Sequence, residues 1–164
     1  MAAATRSAVV TLPASTQIMI TRQFDAPRHL VYRAWTTPEL IRRWWAGDRG
    51  KVTSAEVDLR PGGVFRICMR SSEGVDHWLQ GVYREVVEPE RLVFTHAWLA
   101  ADGKPGPETL ATITFAETGG KTELTLRQTG FKSTGARDGH QSGWSSTLDR
   151  FNAYIVTISG EAQS

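Results

Sequence analysis

Residues 139–155, GHQSGWSSTLDRFNAYI, set Trp144, Leu148, Phe151 and Ile155 at i, i+4, i+7 and i+11, while Asp149, Arg150 and Asn152 fall on other faces. This is one continuous apolar stripe of an α-helix that begins near His140 and must lie on another layer. Upstream, where the period is two, the sequence supplies that layer. Phe65, Ile67 and Met69 alternate with Val64, Arg66 and Cys68, and Val57 with Leu59 closes the strand before them. Further strands are predicted from about His77 to Val87, Arg91 to Leu99, Leu110 to Phe115 and Thr122 to Gln128. Turn chemistry separates them at Pro61 to Gly63, Ser71 to Gly74, Glu88 with Pro89, Asp102 to Pro107 and Gly119 with Gly120. Strands joined by such short turns are antiparallel neighbours in a meander.

Ahead of the meander, Gln17 to Phe24 reads as a β-branched strand that stops at Asp25 and Pro27, with Asp25 standing where an N-cap belongs. Leu30, Val31, Ala34 and Trp35 then form a helical face. Thr37 caps a second short helix, Pro38 takes its first position, and Leu40, Ile41, Trp44 and Trp45 repeat the spacing up to Gly47. Adjacent residues on a helix diverge by about 100°. Trp44 and Trp45 are therefore expected to separate, one facing the core or a cavity and the other a surface groove. The fold class is α+β: a curved antiparallel sheet of about seven strands, two short helices after the first strand, and a long C-terminal helix packed over the sheet. Residues 17–160 make this domain, and residues 1–16, rich in Ala, Ser and Thr, read as a flexible tail.

With 164 residues, 6 Trp, 6 Phe and 3 Tyr, the chain fills one core and not two. Its 19 Lys and Arg are interspersed with 17 Asp and Glu, so no basic stripe offers a footprint for nucleic acid. Cys68 is the single cysteine and has no partner for an intramolecular disulfide. The sequence shows neither a signal-peptide pattern nor a membrane-spanning run, so the reading is a cytoplasmic protein without membrane insertion. No HxH or HExxH spacing relates His29, His77, His96 and His140, and no metal or cofactor is expected. Gly62 with Gly63 is a turn rather than a phosphate loop, and Ser142, Ser145 and Ser146 lack a nucleophile elbow.

Alternation also tells which side chains point inward. Leu92, Phe94, His96 and Trp98 share one face, as do His77, Leu79, Gly81 and Tyr83, and the apolar members mark that face as the interior. A hairpin about Glu88 and Pro89 puts His96 opposite Gly81, where a missing side chain leaves room. His77 falls about 13 Å further along, at an exposed strand end. His96 is then a polar anchor for a ligand, an acid or base, or a buried histidine satisfied by a neighbour. Gln128, in phase with Leu124 and Leu126, is a second inward polar group, and Trp78 faces outward. The residues expected to line a ligand cavity are Trp44, Phe65, Ile67, Met69, Tyr83, Phe94, His96, Trp98 and Gln128, with Trp144, Leu148 and Phe151 from the helix.

Five stretches in this order carry a resemblance: FDAPRHLVYRAWTTPELIRRWWAG, DLRPGGVFR, GVYREVVEPERLVFTH, KTELTLRQTGF and GHQSGWSSTLDRFNAYI. Over about residues 17–158 the chain resembles the START-like helix-grip superfamily, also called SRPBCC. Within it, the chain is similar to the branch related to the C-terminal domain of the activator of the heat shock protein 90 ATPase. His96 departs from that branch, which commonly has Trp there, and Ala46 with Gly47 replaces the Pro that often follows the Trp pair. The resemblance implies the Bet v 1-like helix-grip fold and a deep cavity between helix and sheet for a small hydrophobic, aromatic or lipid-like molecule. Cyclases, aromatases and hydrolases share the fold, which would make His96 the acid or base of an enzyme, with Tyr83 or Gln128 positioning the substrate. A chaperone partner follows only from the branch, whose eukaryotic member works with an additional N-terminal domain where this chain has residues 1–16. A homodimer is left open.

Overall fold

The computed structural model describes residues 16–163. Strand β1 (Gln17–Phe24) is followed by helices α1 (Arg28–Thr36) and α2 (Pro38–Ile41). The meander comprises β2 (Gly50–Val57), β3 (Val64–Ser71), β4 (Asp76–Val87), β5 (Arg91–Trp98), β6 (Thr109–Thr118) and β7 (Lys121–Thr129), and helix α3 (Thr134–Gln163) ends the chain. All strand pairs are antiparallel, in the order β1-β7-β6-β5-β4-β3-β2. The chain starts at one edge, crosses through α1 and α2 to the other, and meanders back until β7 pairs with β1. This is the expected helix-grip α+β fold. The expected tail, apart from Thr16, lies outside the described residues, among which no helix is long and apolar enough to cross a membrane.

Local chemistry shifts several boundaries. Pro27, not Asp25, holds the N-cap position of α1, without a side-chain hydrogen bond. Thr37 and Pro38 start α2 as expected, but α2 ends at Ile41, so Trp44 and Trp45 sit in turns rather than on a helix. Leu59 lies beyond β2 and is exposed. Helix α3 starts at Thr134, well before His140.

The core is organised around Trp35. Its ring meets Trp44 at 4.8 Å, Trp45 at 5.5 Å, Trp144 at 5.9 Å and Phe151 at 6.2 Å. Trp44 and Trp45 are both buried, and both pack on Trp35, which corrects the expectation that they would diverge. The helical-wheel angle does not apply to a turn, and one indole is broad enough to receive two. Trp44 Nε1–H donates to the Ala34 carbonyl at 3.1 Å, which ties the turn to α1. On α3, Trp144, Leu148, Phe151 and Ile155 are all buried, as the stripe requires. Further along the sheet, Phe94 packs edge to face on Phe65 and Tyr83, whose own rings are tilted to each other, with centroids 5.2–6.1 Å apart.

Candidate functional site

A cavity of about 600 Å³ opens between the N-terminal half of α3 and the ends of β2 to β5. Trp45 and Ala46 wall it from the turn after α2, Met69 from β3, His96 and Trp98 from β5, and Ala136, Trp144 and Thr147 from α3. On α3, Gly135, Gly139 and Gly143 recur at four-residue spacing and line the cavity together with Ala136, His140, Trp144 and Thr147. A Cβ on Gly139 would meet nothing within 4 Å. The turn is fastened to α3 by Thr147 Oγ1, which donates to the Trp45 carbonyl at 3.1 Å, and by Ser146 Oγ, which donates to Asp48 Oδ1. Gly47, at φ +63°, permits this approach: a Cβ there would stand 2.7 Å from Ser146 Oγ.

The buried polar groups around the cavity are connected. Trp144 Nε1–H donates to Gln128 Oε1 at 2.8 Å, Gln128 Nε2 donates to Thr109 Oγ1 at 2.7 Å, and that hydroxyl donates to the His96 carbonyl at 3.2 Å. Gln128 is thus inward and fully buried, and its role is to aim Trp144. On α3, His140 Nδ1 bonds the Ala136 carbonyl at 2.7 Å while Nε2 accepts from Trp98 Nε1–H at 3.1 Å. Those two contacts select the neutral tautomer with the proton on Nδ1.

His96 is 4% exposed and packs near Trp98, His140 and Trp144 at 6.0, 5.8 and 6.1 Å. Burial holds its pKa down at about 3, with His140 adding to the effect and a hydrogen bond to its own backbone opposing it. A neutral imidazole donates or accepts a hydrogen bond, but a base this weak holds no proton near neutrality and is poorly matched to proton transfer there. The linkage has a definite sign. An unfolded imidazole titrates near 6.5, so between about pH 6.5 and 3 the unfolded state binds the extra proton. Stability is complete above that window and falls with pH inside it, by up to about 1.4 kcal/mol per pH unit. Wild-type protein should lose about 2 kcal/mol between pH 7 and 5 in denaturant titrations, and His96→Gln should lose little. An equal loss in both proteins would assign the titration elsewhere. Asp48 and Asp76, whose carboxyls are held low chiefly by hydrogen bonds from Ser146 and Arg70, add their losses only below about pH 4.

Of the residues expected to line a cavity, Met69, His96, Trp98 and Trp144 do so. Trp44, Phe65, Ile67, Tyr83, Phe94, Gln128, Leu148 and Phe151 do not line it and are buried in the core. The room expected at Gly81 is taken by the Phe65 ring and the Thr95 carbonyl, which a Cβ there would strike. His77 is exposed, as expected, yet it also lines the cavity. Trp78 is half-buried on the outer face with the Arg66 guanidinium 5.6 Å from its ring centroid. Of the Trp pair it is Trp45 that lines the cavity, and sequence reasoning missed Arg49, His140 and the glycines of α3. The signal available for the last was the spacing of Gly135, Gly139 and Gly143.

The fold and this sequence have relatives among solved structures. A protein of Nitrosomonas europaea is 27% identical, with a TM-score of 0.75 over 91% of this chain and 99% of that one. An AHSA1-like protein of Aeromonas hydrophila is 26% identical, with a TM-score of 0.71 over 87% and 93%. The AHSA1 protein of Silicibacter pomeroyi shares the fold at a TM-score of 0.80 and 19% identity, over 87% of this chain and 99% of that one. No curated protein is significantly similar to this chain. The family described as Activator of Hsp90 ATPase homolog 1-like protein matches residues 25–156, most of the chain. The chain belongs to that family.

Proposed function

We propose that the cavity binds a small hydrophobic or aromatic molecule, and that binding rather than catalysis is its role. The supporting observation is a space of about 600 Å³ walled by Trp45, Trp98, Trp144, Met69 and Ala136, with Gly135, Gly139 and Gly143 on α3 leaving it open. A concave, mostly apolar site of some 300–1,000 Å³ with a few polar groups is what a small ligand requires. His96 suits this role as a neutral hydrogen-bonding anchor in an apolar wall. N-phenyl-1-naphthylamine, a neutral fluorescent probe, should bind saturably at one site with a Kd on the order of 10 μM and quench tryptophan emission. Failure to saturate at about ten times that concentration would overturn the proposal.

A further inference from the structure

The hydrophobic-ligand reading leaves the ligand's polar end unspecified, and the charges around the cavity supply it. No Asp or Glu lines the cavity, whereas two arginines, Arg49 and Arg70, do, beside the imidazoles of His77, His96 and His140. The two arginines differ. Arg70 is committed: its Nε and Nη2 reach the two carboxylate oxygens of Asp76 at 2.7 and 3.3 Å. Arg49 takes part in no ion pair among the described residues. Its guanidinium lies over α3 where a side chain is missing, with Nη1, Cζ and Nη2 at 3.3, 3.5 and 3.7 Å from the site of a Cβ on Gly143. Asp48 is its chain neighbour and lies in the fields of both Arg49 and Arg150, but its carboxylate takes the Ser146 hydroxyl and makes no ion pair with Arg49.

A guanidinium in no ion pair, lining the same cavity as Trp45, Trp98 and Trp144, matches a planar monoanion that accepts two parallel N–H bonds. A dianionic phosphate would exceed the charge of one free arginine. We infer that the ligand is an amphipathic carboxylic acid, its apolar body against Trp45, Trp98 and Trp144 and its carboxylate paired with Arg49 at the mouth. This rests on the cavity being a ligand site, and it adds the anion.

An isosteric pair of probes isolates the charge. Naphthalene-1-acetate and naphthalene-1-acetamide differ in the anion and share the ring. In competition against N-phenyl-1-naphthylamine at low salt, the acid should displace the dye from wild-type protein at about tenfold lower concentration than the amide. The advantage should shrink with added salt, because the arginine is at the surface. In Arg49→Gln the ratio of acid to amide affinity should fall to about one or below. Equal displacement by both compounds from a wild-type protein that binds the dye would overturn the carboxylate and leave the hydrophobic site standing. An acid preference unchanged in Arg49→Gln would equally overturn it. A wild-type protein that binds none of the three would overturn both readings.

Discussion

Trp35→Ala should destabilise the protein by about 4 kcal/mol, read as a fall in the urea midpoint at unchanged slope. The size follows from position. Trp35 is 1% exposed, and its ring touches aromatic rings from the post-α2 turn (Trp44, Trp45), from β6 (Phe115, 6.3 Å) and from α3 (Trp144, Phe151). Truncation to Ala removes the indole's transfer free energy and leaves a void bounded by rings fixed to three different elements, which cannot collapse together. Trp35→Phe makes the complementary test. The Trp35 Nε1–H is buried without a partner, so phenylalanine gives up some volume but also deletes an unsatisfied donor. Its cost should stay within about 1.5 kcal/mol. If Trp35→Ala cost under about 2 kcal/mol, the surroundings would have repacked and Trp35 would not organise the core.

The distance between what the sequence reveals and what it hides follows from where side chains are informative. Strand phase was legible because Phe65, Ile67 and Met69 on β3, Leu79 and Tyr83 on β4, and Leu92 and Phe94 on β5 share one face, although Val82, Val93 and Ala97 are apolar on the other. The register pairs Tyr83 with Phe94 and Leu79 with Trp98, so His96 falls across from Gly81, with an irregularity between Tyr83 and Glu85 keeping the faces in step. The lower half of α3 was legible from Trp144 to Ile155 for the same reason. Its first turns were not, since Gly135 and Gly139 contribute no apolar period and glycine lowers helix propensity. The bias has a direction. Periodicity detects where large side chains accumulate, and that is the packed core. Hence Phe65, Tyr83, Phe94 and Phe151, which the phase expects around a cavity, are buried in the packed core, while part of the wall of the open space is glycine, which leaves no periodic mark. Gln128 was correctly read as inward, but its partner Trp144 lies on another element, and no spacing rule connects them.

Gly139 therefore joins stability and binding in one position, and two substitutions there should separate them. Gly139 lies within α3, so its freedom in the unfolded chain is lost on folding, and Ala there should raise stability by about 0.5–1 kcal/mol. Nothing opposes that gain, because the new Cβ would meet no atom within 4 Å. The methyl group trims only the edge of the cavity, so dye binding should change by less than about threefold. Gly139→Trp keeps the backbone benefit but sends an indole into the space between α3 and Trp98, among tryptophans that already offer ring faces. It should fold with a thermal midpoint at or above wild type and lose dye affinity by at least about tenfold, since packed side chains and a ligand cannot share a volume. A Trp variant that folds and still binds at wild-type strength would place the dye site elsewhere. A glycine held at a place where Ala is more stable is what the fold would need if the glycine-lined wall serves a ligand. The paired measurements decide this: stability falls in neither variant while binding survives one and fails in the other.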